Sequence, residues 1–531
     1  MVFERCAPCH REGQAAPFSL LQAGDFAQRL KQMAEVVESD FMPPWMPEPG
    51  FGTFQHARRL SVTEKGMLLQ WVKEGGKEGD ARDLPALPSW PKGWQLGTPD
   101  IVVGLSKPYD LAPEGADVYR NFVLPLPLKT NRYVRAMEFL SGSTRGIHHA
   151  FMDVDPLHAS RAIDALDEEP GFGGLTVPAD MPEGQFSSWQ PGRRPSVSPP
   201  GLSWVLPGGS DLVLELHMNR TGRRELINPQ VGIYFTDEAP TNSCHKIGLA
   251  SLGLDIPAGE ADYRVRDSYV LPVDLQVLAI LPHAHYLAKT VKAFATLPDG
   301  RIEWLIYIKN WDFNWQSEYR YETPLLLPRG TRVSMEFSYD NSTNNVHNPS
   351  IPPKRVLYGL QSTDEMCELW LQTLAGTPGE LALLKQDSQN RLRQIFMAGA
   401  RDRMKSNPKD AASLAKLGTY LMAEGKIEES WGYFTNAMAL NPSLDEPYVS
   451  MGEILRLKGE AVKALPLLEK ARQLNPANSR THGNLAFVFA ELGRLAESEA
   501  AFRKCLEFNP ADVVAKEGYE ELKRGMKQRG L

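Results

Sequence analysis

At 531 residues the chain is too long for one hydrophobic core and calls for several domains. Its 58 Lys plus Arg against 65 Asp plus Glu give a net charge of -7 without long single-sign runs, which argues against a nucleic-acid binder or a polybasic membrane anchor. No stretch reaches the ~18 consecutive apolar residues needed to span a bilayer, and the 5 cysteines are too few for a disulfide-built scaffold.

Residues 1–85 combine short helical patterns with a Pro-rich loop. Within them Cys6-Ala7-Pro8-Cys9-His10 is the C-x-x-C-H arrangement that attaches a c-type haem. Two thiols three positions apart suit the two vinyl groups, and the next residue, His10, reaches the iron from one side. A zinc site would want a second ligand pair, and a redox dithiol a βαβ context; the sequence offers neither. Phe41-Met42-Pro43-Pro44-Trp45-Met46 supplies a thioether for the opposite side, with Met42 favoured over Met46 and His56. A His and Met pair makes a low-spin, electron-carrying haem. Covalent haem is assembled outside the cytoplasm, so a periplasmic or secreted protein is expected. Residues 1–5 hold no apolar segment of a signal peptide, and an export signal is expected upstream of Met1.

Prolines crowd residues 84–91, so 86–99 reads as a linker. From 100 to 377 the texture is period-two alternation, as in Asp211-Leu212-Val213-Leu214-Glu215-Leu216, separated by turn clusters such as Pro298-Asp299-Gly300. This is an all-β pattern, long enough for two jelly-roll-like sandwiches, 100–255 and 256–377, with the break near Leu254 to Glu260. Residues 378–406 read as a helical linker. Beyond them Asn-Pro recurs at Asn407, Asn441, Asn475 and Asn509, a strict period of 34 residues, with Gly418, Gly452 and Ala486 in register, and likewise Ala437, Ala471 and Cys505. Residues 407–528 are thus a tetratricopeptide solenoid, a module for a protein partner, and Cys505 fills a small-residue slot in its helix packing.

Only 11 histidines occur, yet five sit in three tight contexts of the β region: His148 and His149, then His217 in Leu-His-Met, then Pro282-His283-Ala284-His285. Residues i and i+2 of a strand share a face, so His283 and His285 can converge on one metal. Adjacent His148 and His149 can share one only if the backbone is bulged or one ring uses its other nitrogen. A lone histidine such as His217 is more often structural, and His158, His245, His347 and His482 are read that way.

The order of these pieces, closed by Ser362-Thr363-Asp364-Glu365-Met366-Cys367, resembles the ascorbate-dependent type II copper monooxygenases, the peptidylglycine and dopamine hydroxylating family. The resemblance covers about residues 100–373. It implies two coppers per chain: an electron-transfer copper on His148, His149 and His217, and an oxygen-activating copper on His283, His285 and Met366. It also implies O₂, a small-molecule or peptide substrate, hydroxylation of a C–H bond and ascorbate as reductant; the haem tethered ahead of the β region is expected to relay electrons to the copper of His148, His149 and His217, partly or wholly replacing ascorbate. A thioether beside two imidazoles suits Cu(I), and zinc sites rarely use Met. The residues that hold a peptide carboxylate in the amidating members are replaced here by Leu281, Glu368 and Trp370, so a carboxylate-terminated peptide is not the expected substrate. The family's cysteine after the ligand Met forms a disulfide; Cys367 matches it, with Cys244 the one available partner. A non-enzymatic haem and copper electron carrier would use the same residues, and only turnover separates the two.

Overall fold

The computed structural model describes residues 1–528 apart from 13, 15, 92, 143, 144 and 175–177. The N-terminal region is small and helical. Helices Leu30–Glu38 and Val62–Lys73 close over Leu20, Met33, Val37, Leu60 and Leu68. The second helix starts where Ser61 and Glu64 form a capping box, each satisfying the other's backbone N–H.

The loop after Met42 does not stay with this region. It crosses to the second sandwich, where Pro47 bridges Ile308 and Phe54 bridges Tyr321, and Gln55 N–H donates to the Arg320 carbonyl at 2.8 Å. Trp45 and Phe54 pack on Tyr319 with ring centroids 5.4 Å and 5.5 Å apart. The Pro-rich stretch 86–99 is also pinned at its C-terminal end, because Gln95 and Leu96 N–H donate to the Glu138 carboxylate and Tyr234 donates to the Gly97 carbonyl. The helical region is therefore docked on the β region as well as tethered to it.

The β region is two antiparallel sandwiches. In the first, a sheet containing Val118–Pro125, Asp211–Met218 and Ile147–Asp155 faces one containing Arg132–Leu140 and Gln230–Thr236. Leu212, Leu214, Leu216, Val231 and Ile233 fill the space between them, all with no exposure. In the second, a sheet of His245–Ala250, Glu368–Ala375, Leu275–His283 and Tyr319–Leu327 faces one of Tyr263–Val270, Arg332–Tyr339, Ala288–Thr296 and Ile302–Ile308.

Strand His245–Ala250 already belongs to the second sandwich, so the chain crosses earlier than the expected boundary at 255/256. The turn-rich run 237–243 is the real break. The turn near 254–260 lies inside the second sandwich, where Asp255–Ile256 pairs with Val356–Leu357.

The same strand pair rules out the disulfide implied for Cys367 and Cys244. Cys244 precedes one strand and Cys367 the other, and the two run antiparallel over six residues, from His245 opposite Thr373 to Ala250 opposite Glu368. That puts the two cysteines at opposite ends of the pair, roughly 20 Å apart at ~3.4 Å per residue, against the ~7 Å limit between Cα atoms. All five cysteines are free thiols.

Helix Pro378–Ser406 is docked on the second sandwich through Tyr269 to Asp387 and Arg391 to Asp267. The paired helices 411–528 follow. Each Asn of the 34-residue period ends a helix as its C-cap, its N–H on a carbonyl four residues back. A Cβ on Gly418 or Gly452 would come within 2.6 Å of Phe434 or Leu468, which is why small residues recur there. Cys505 has no exposure and packs over Gly483, whose added Cβ would lie 3.2 Å from its sulfur. No helix of the described residues is long and apolar enough to cross a membrane.

Candidate metal centres

The first histidine set forms where two strands pair. His149 lies opposite His217 in register, and the pairing of Ile147–Asp155 with Asp211–Met218 shifts between Ile147 and His149. That bulge turns His148 to the same side as His149, the condition that the adjacent pair required. The Nδ1 atoms of His148 and His149 are 3.1 Å apart and those of His217 and His149 3.3 Å. One ring nitrogen from each of the three lies within 4.8 Å of the others. His217 Nε2 faces the Asp117 carboxylate at 3.0 Å; a carboxylate only accepts, so Nε2 carries the proton and the Nδ1 lone pair points into the cluster. That bond holds the Asp117 carboxyl below its usual range. Burial pushes His148 down to about 3 and His149 well below its ordinary value, so both rings are neutral, as metal ligation demands.

The second set lies across a cavity of about 350 Å³ between the sandwiches, lined by His149 and His217 on one wall and by His283, His285 and Met366 on the other. His283 closes its strand, and His285 lies just past the strand end. Their convergence is therefore made by a turn and not by strand periodicity alone. The rings are 5.3 Å apart and nearly perpendicular. His283 Nδ1 donates to Gln316 Oε1 at 2.6 Å and His285 Nδ1 to the Asp364 carbonyl at 3.1 Å, which leaves both Nε2 lone pairs free. The free nitrogen of His283 is 3.2 Å from the Met366 sulfur. Burial pushes His285 down to about 3.

Several residues that set this geometry carry no sequence signal. Glu365, with no exposure, accepts from the backbone N–H of His285, Leu287 and Met366, and so clamps two would-be ligands to one carboxylate. Phe313 stacks on His148 at 4.5 Å and lies 5.3 Å from His285. Tyr119 stacks on His217 at 4.3 Å. Leu281, Glu368 and Trp370 do line the cavity, and Trp370 Nε1 donates to Glu368 at 3.0 Å. Gln190 Oε1, buried at the cavity wall, has no hydrogen-bond partner among the described residues.

Three of the remaining histidines have other partners. His158 bonds Asp211, His245 bonds Ser388, and His482 bonds the Pro476 carbonyl.

In the N-terminal region Cys6, Cys9, His10 and Met42 line a single cavity of about 380 Å³, walled by apolar residues including Phe18, Met33 and Val37. His10 Nδ1 donates to the Phe18 carbonyl at 3.2 Å, leaving Nε2 as the free lone pair. Burial raises Cys6 to about 11, opposite to what a reactive dithiol needs. Met46 is committed elsewhere: it is buried in the second sandwich and its sulfur accepts from Asp312 N–H at 3.2 Å. His56 is exposed and lines a different surface pocket.

Comparison with known proteins finds the C-terminal repeats. A family model described as "Tetratricopeptide repeat" matches residues 455–516. "Anaphase-promoting complex subunit 7" of Arabidopsis thaliana is 27% identical over 129 residues, 24% of this chain and 23% of that protein, so the chain spans about a quarter of this relative's length. Among solved structures, MamA is 20% identical with a TM-score of 0.24, over 27% of this chain and 85% of that one. The Arabidopsis OM64 TPR domain is 19% identical with a TM-score of 0.21, over 22% and 94%. The chain is therefore multidomain, with a β-rich region and a C-terminal tetratricopeptide module of the kind that binds proteins.

Proposed function

We propose that this chain is a two-copper monooxygenase that hydroxylates a C–H bond with O₂, with electrons relayed by a c-type haem held on Cys6 and Cys9 and ligated by His10 and Met42. The observation that carries the reading is the pairing of two largely buried imidazole sets on one cavity, one purely nitrogen and the other with a thioether. The donor chemistry fits copper. Three neutral imidazoles on His148, His149 and His217 serve both oxidation states, while His283, His285 and Met366 favour the cuprous one. Copper at these sites supplies one-electron transfer and activation of O₂, and the haem a further one-electron store.

The chain's own residues do the rest. Asp117, Gln316 and the Asp364 carbonyl fix which nitrogen of His217, His283 and His285 would face a metal. Leu281, Trp370, Phe151 and Phe186 make an apolar wall that keeps water from the reacting C–H bond and supplies burial energy for an organic substrate. Among the described residues no arginine lines this cavity, which combines Lys246 with the carboxyls of Glu215 and Glu368 and so offers no bidentate clamp for a substrate carboxylate. A simple electron carrier has no use for a void of this size at its metal, which favours the enzyme over that alternative.

Ascorbate is proposed as the alternative, external reductant. Covalent haem attachment calls for assembly in the periplasm or outside the cell, which is the proposed location, and the tetratricopeptide module is proposed to hold a protein partner there. The test is O₂ uptake by copper-loaded, haem-reduced protein against a panel of compounds with activated C–H bonds, with ¹⁸O₂ as oxidant. One labelled oxygen in the product is expected. Uptake without any labelled product across the panel contradicts the reading in favour of a carrier.

A further inference from the structure

One short segment, 311–316, reaches all three proposed metal sites. Trp315 lines the cavity that holds Cys9, His10 and Met42. Two residues earlier, Phe313 stacks on His148, with interplanar angle 24°. Gln316 accepts from His283, and Trp311 Nε1 donates to the His285 carbonyl at 3.1 Å. The segment is rigidly held. Phe313 and Trp315 share a single 3₁₀ turn, Phe313–Trp315, whose N-cap Asp312 accepts from Asn314 N–H. Asp312 N–H in turn donates to the sulfur of Met46, on the loop that begins at Met42. The haem cradle and the three-histidine site are thus joined by an indole and a phenyl ring on one turn of backbone.

Electron tunnelling weakens exponentially with the gap between donor and acceptor, and packed or covalently linked atoms carry it better than solvent. We infer that Trp315 and Phe313 form the electron path from the haem cradle to the copper site of His148, His149 and His217; this rests on the haem and copper reading above. In each event one electron leaves a ferrous haem, which becomes ferric, and one cupric ion becomes cuprous. No bond forms or breaks and no proton moves.

The experiment uses the full chain loaded with haem and copper, prepared with haem reduced and copper oxidised, and mixed anaerobically without substrate. The haem absorbance is followed by stopped flow. Wild type is expected to oxidise its haem at a rate independent of protein concentration. Trp315→Leu and Phe313→Leu are each expected to slow that phase by an order of magnitude or more, while Trp315→Phe and Phe313→Tyr keep most of it. Spectroelectrochemical titration should give unchanged haem and copper potentials in all four, which separates path from driving force. Wild-type rates in both Leu variants at full haem and copper content overturn the inference. Wild type that holds both metals yet keeps its haem reduced overturns the path alone, whereas a chain that binds neither overturns the reading beneath it.

Discussion

Glu365→Ala removes the acceptor that holds three backbone donors in the interior. The N–H groups of His285, Leu287 and Met366 all end on this carboxylate, which has no exposure. A buried donor left unsatisfied costs about 1–3 kcal/mol. Against this, the wild-type carboxyl bears a burial penalty, visible in its rise to about 8, which truncation relieves. A net loss of about 3 kcal/mol follows if water enters to satisfy part of the deficit. For a β region of this size that shifts its midpoint by roughly 6–12 °C. The assay is scanning calorimetry of the metal-free protein, with the tetratricopeptide transition as internal reference. Glu365→Gln keeps one acceptor oxygen and is expected to fall in between. The same variant should weaken copper binding at His283, His285 and Met366 and leave the three-histidine site intact. A β-region midpoint unchanged in Glu365→Ala, with both copper sites unaffected, refutes the clamp.

Asp117→Asn leaves His217 without its carboxylate partner, and copper affinity at the three-histidine site is expected to drop 10–100-fold in a chelator competition, the second site holding; equal affinity would mean the bond is incidental. Asp153 is buried, one of its oxygens has no hydrogen-bond partner among the described residues, and burial raises its carboxyl to about 7. A carboxyl whose folded value lies above its unfolded value of 3.8 stabilises the fold at low pH, and that contribution is lost as pH rises through the window to about 7. Asp153→Asn should flatten the stability of the β region across that range in urea titrations at several pH values. In the helical repeats, Gly452→Val drives a side chain into Leu468 and is expected to cost about 1–3 kcal/mol, read from the helical transition by circular dichroism while copper content stays constant.

The parts legible in the sequence are those with a period or a fixed spacing. The Asn-Pro repeat declared itself because every copy ends a helix at the same place in its unit. Cys6, Cys9 and His10 are local by construction. His148 and His149 were legible as ligand types, but the bulge that unites them is a register effect between strands that no local pattern encodes. The i and i+2 argument brings His283 and His285 together by an incomplete route, since the turn and Glu365 hold His285 in place. Asp117, Phe313 and Gln316 could not be read at all. They lie outside the strands and well separated in the chain from the rings they touch, and Phe313 reaches His148 only once the sandwiches face one another. The sandwich boundary expected at 255/256 falls instead at 237–243, because two turn clusters compete in this stretch and only strand pairing shows which separates domains.

The central claim, a nitrogen-only copper site beside a nitrogen and sulfur one, is tested most directly by X-ray absorption of the reduced, copper-loaded protein alongside Met366→Ala. Two coppers per chain are expected, with a copper–sulfur shell in the wild type that disappears in the variant while nitrogen scattering persists. Scattering from nitrogen and oxygen alone in the wild type, or a sulfur shell that survives removal of Met366, would contradict it.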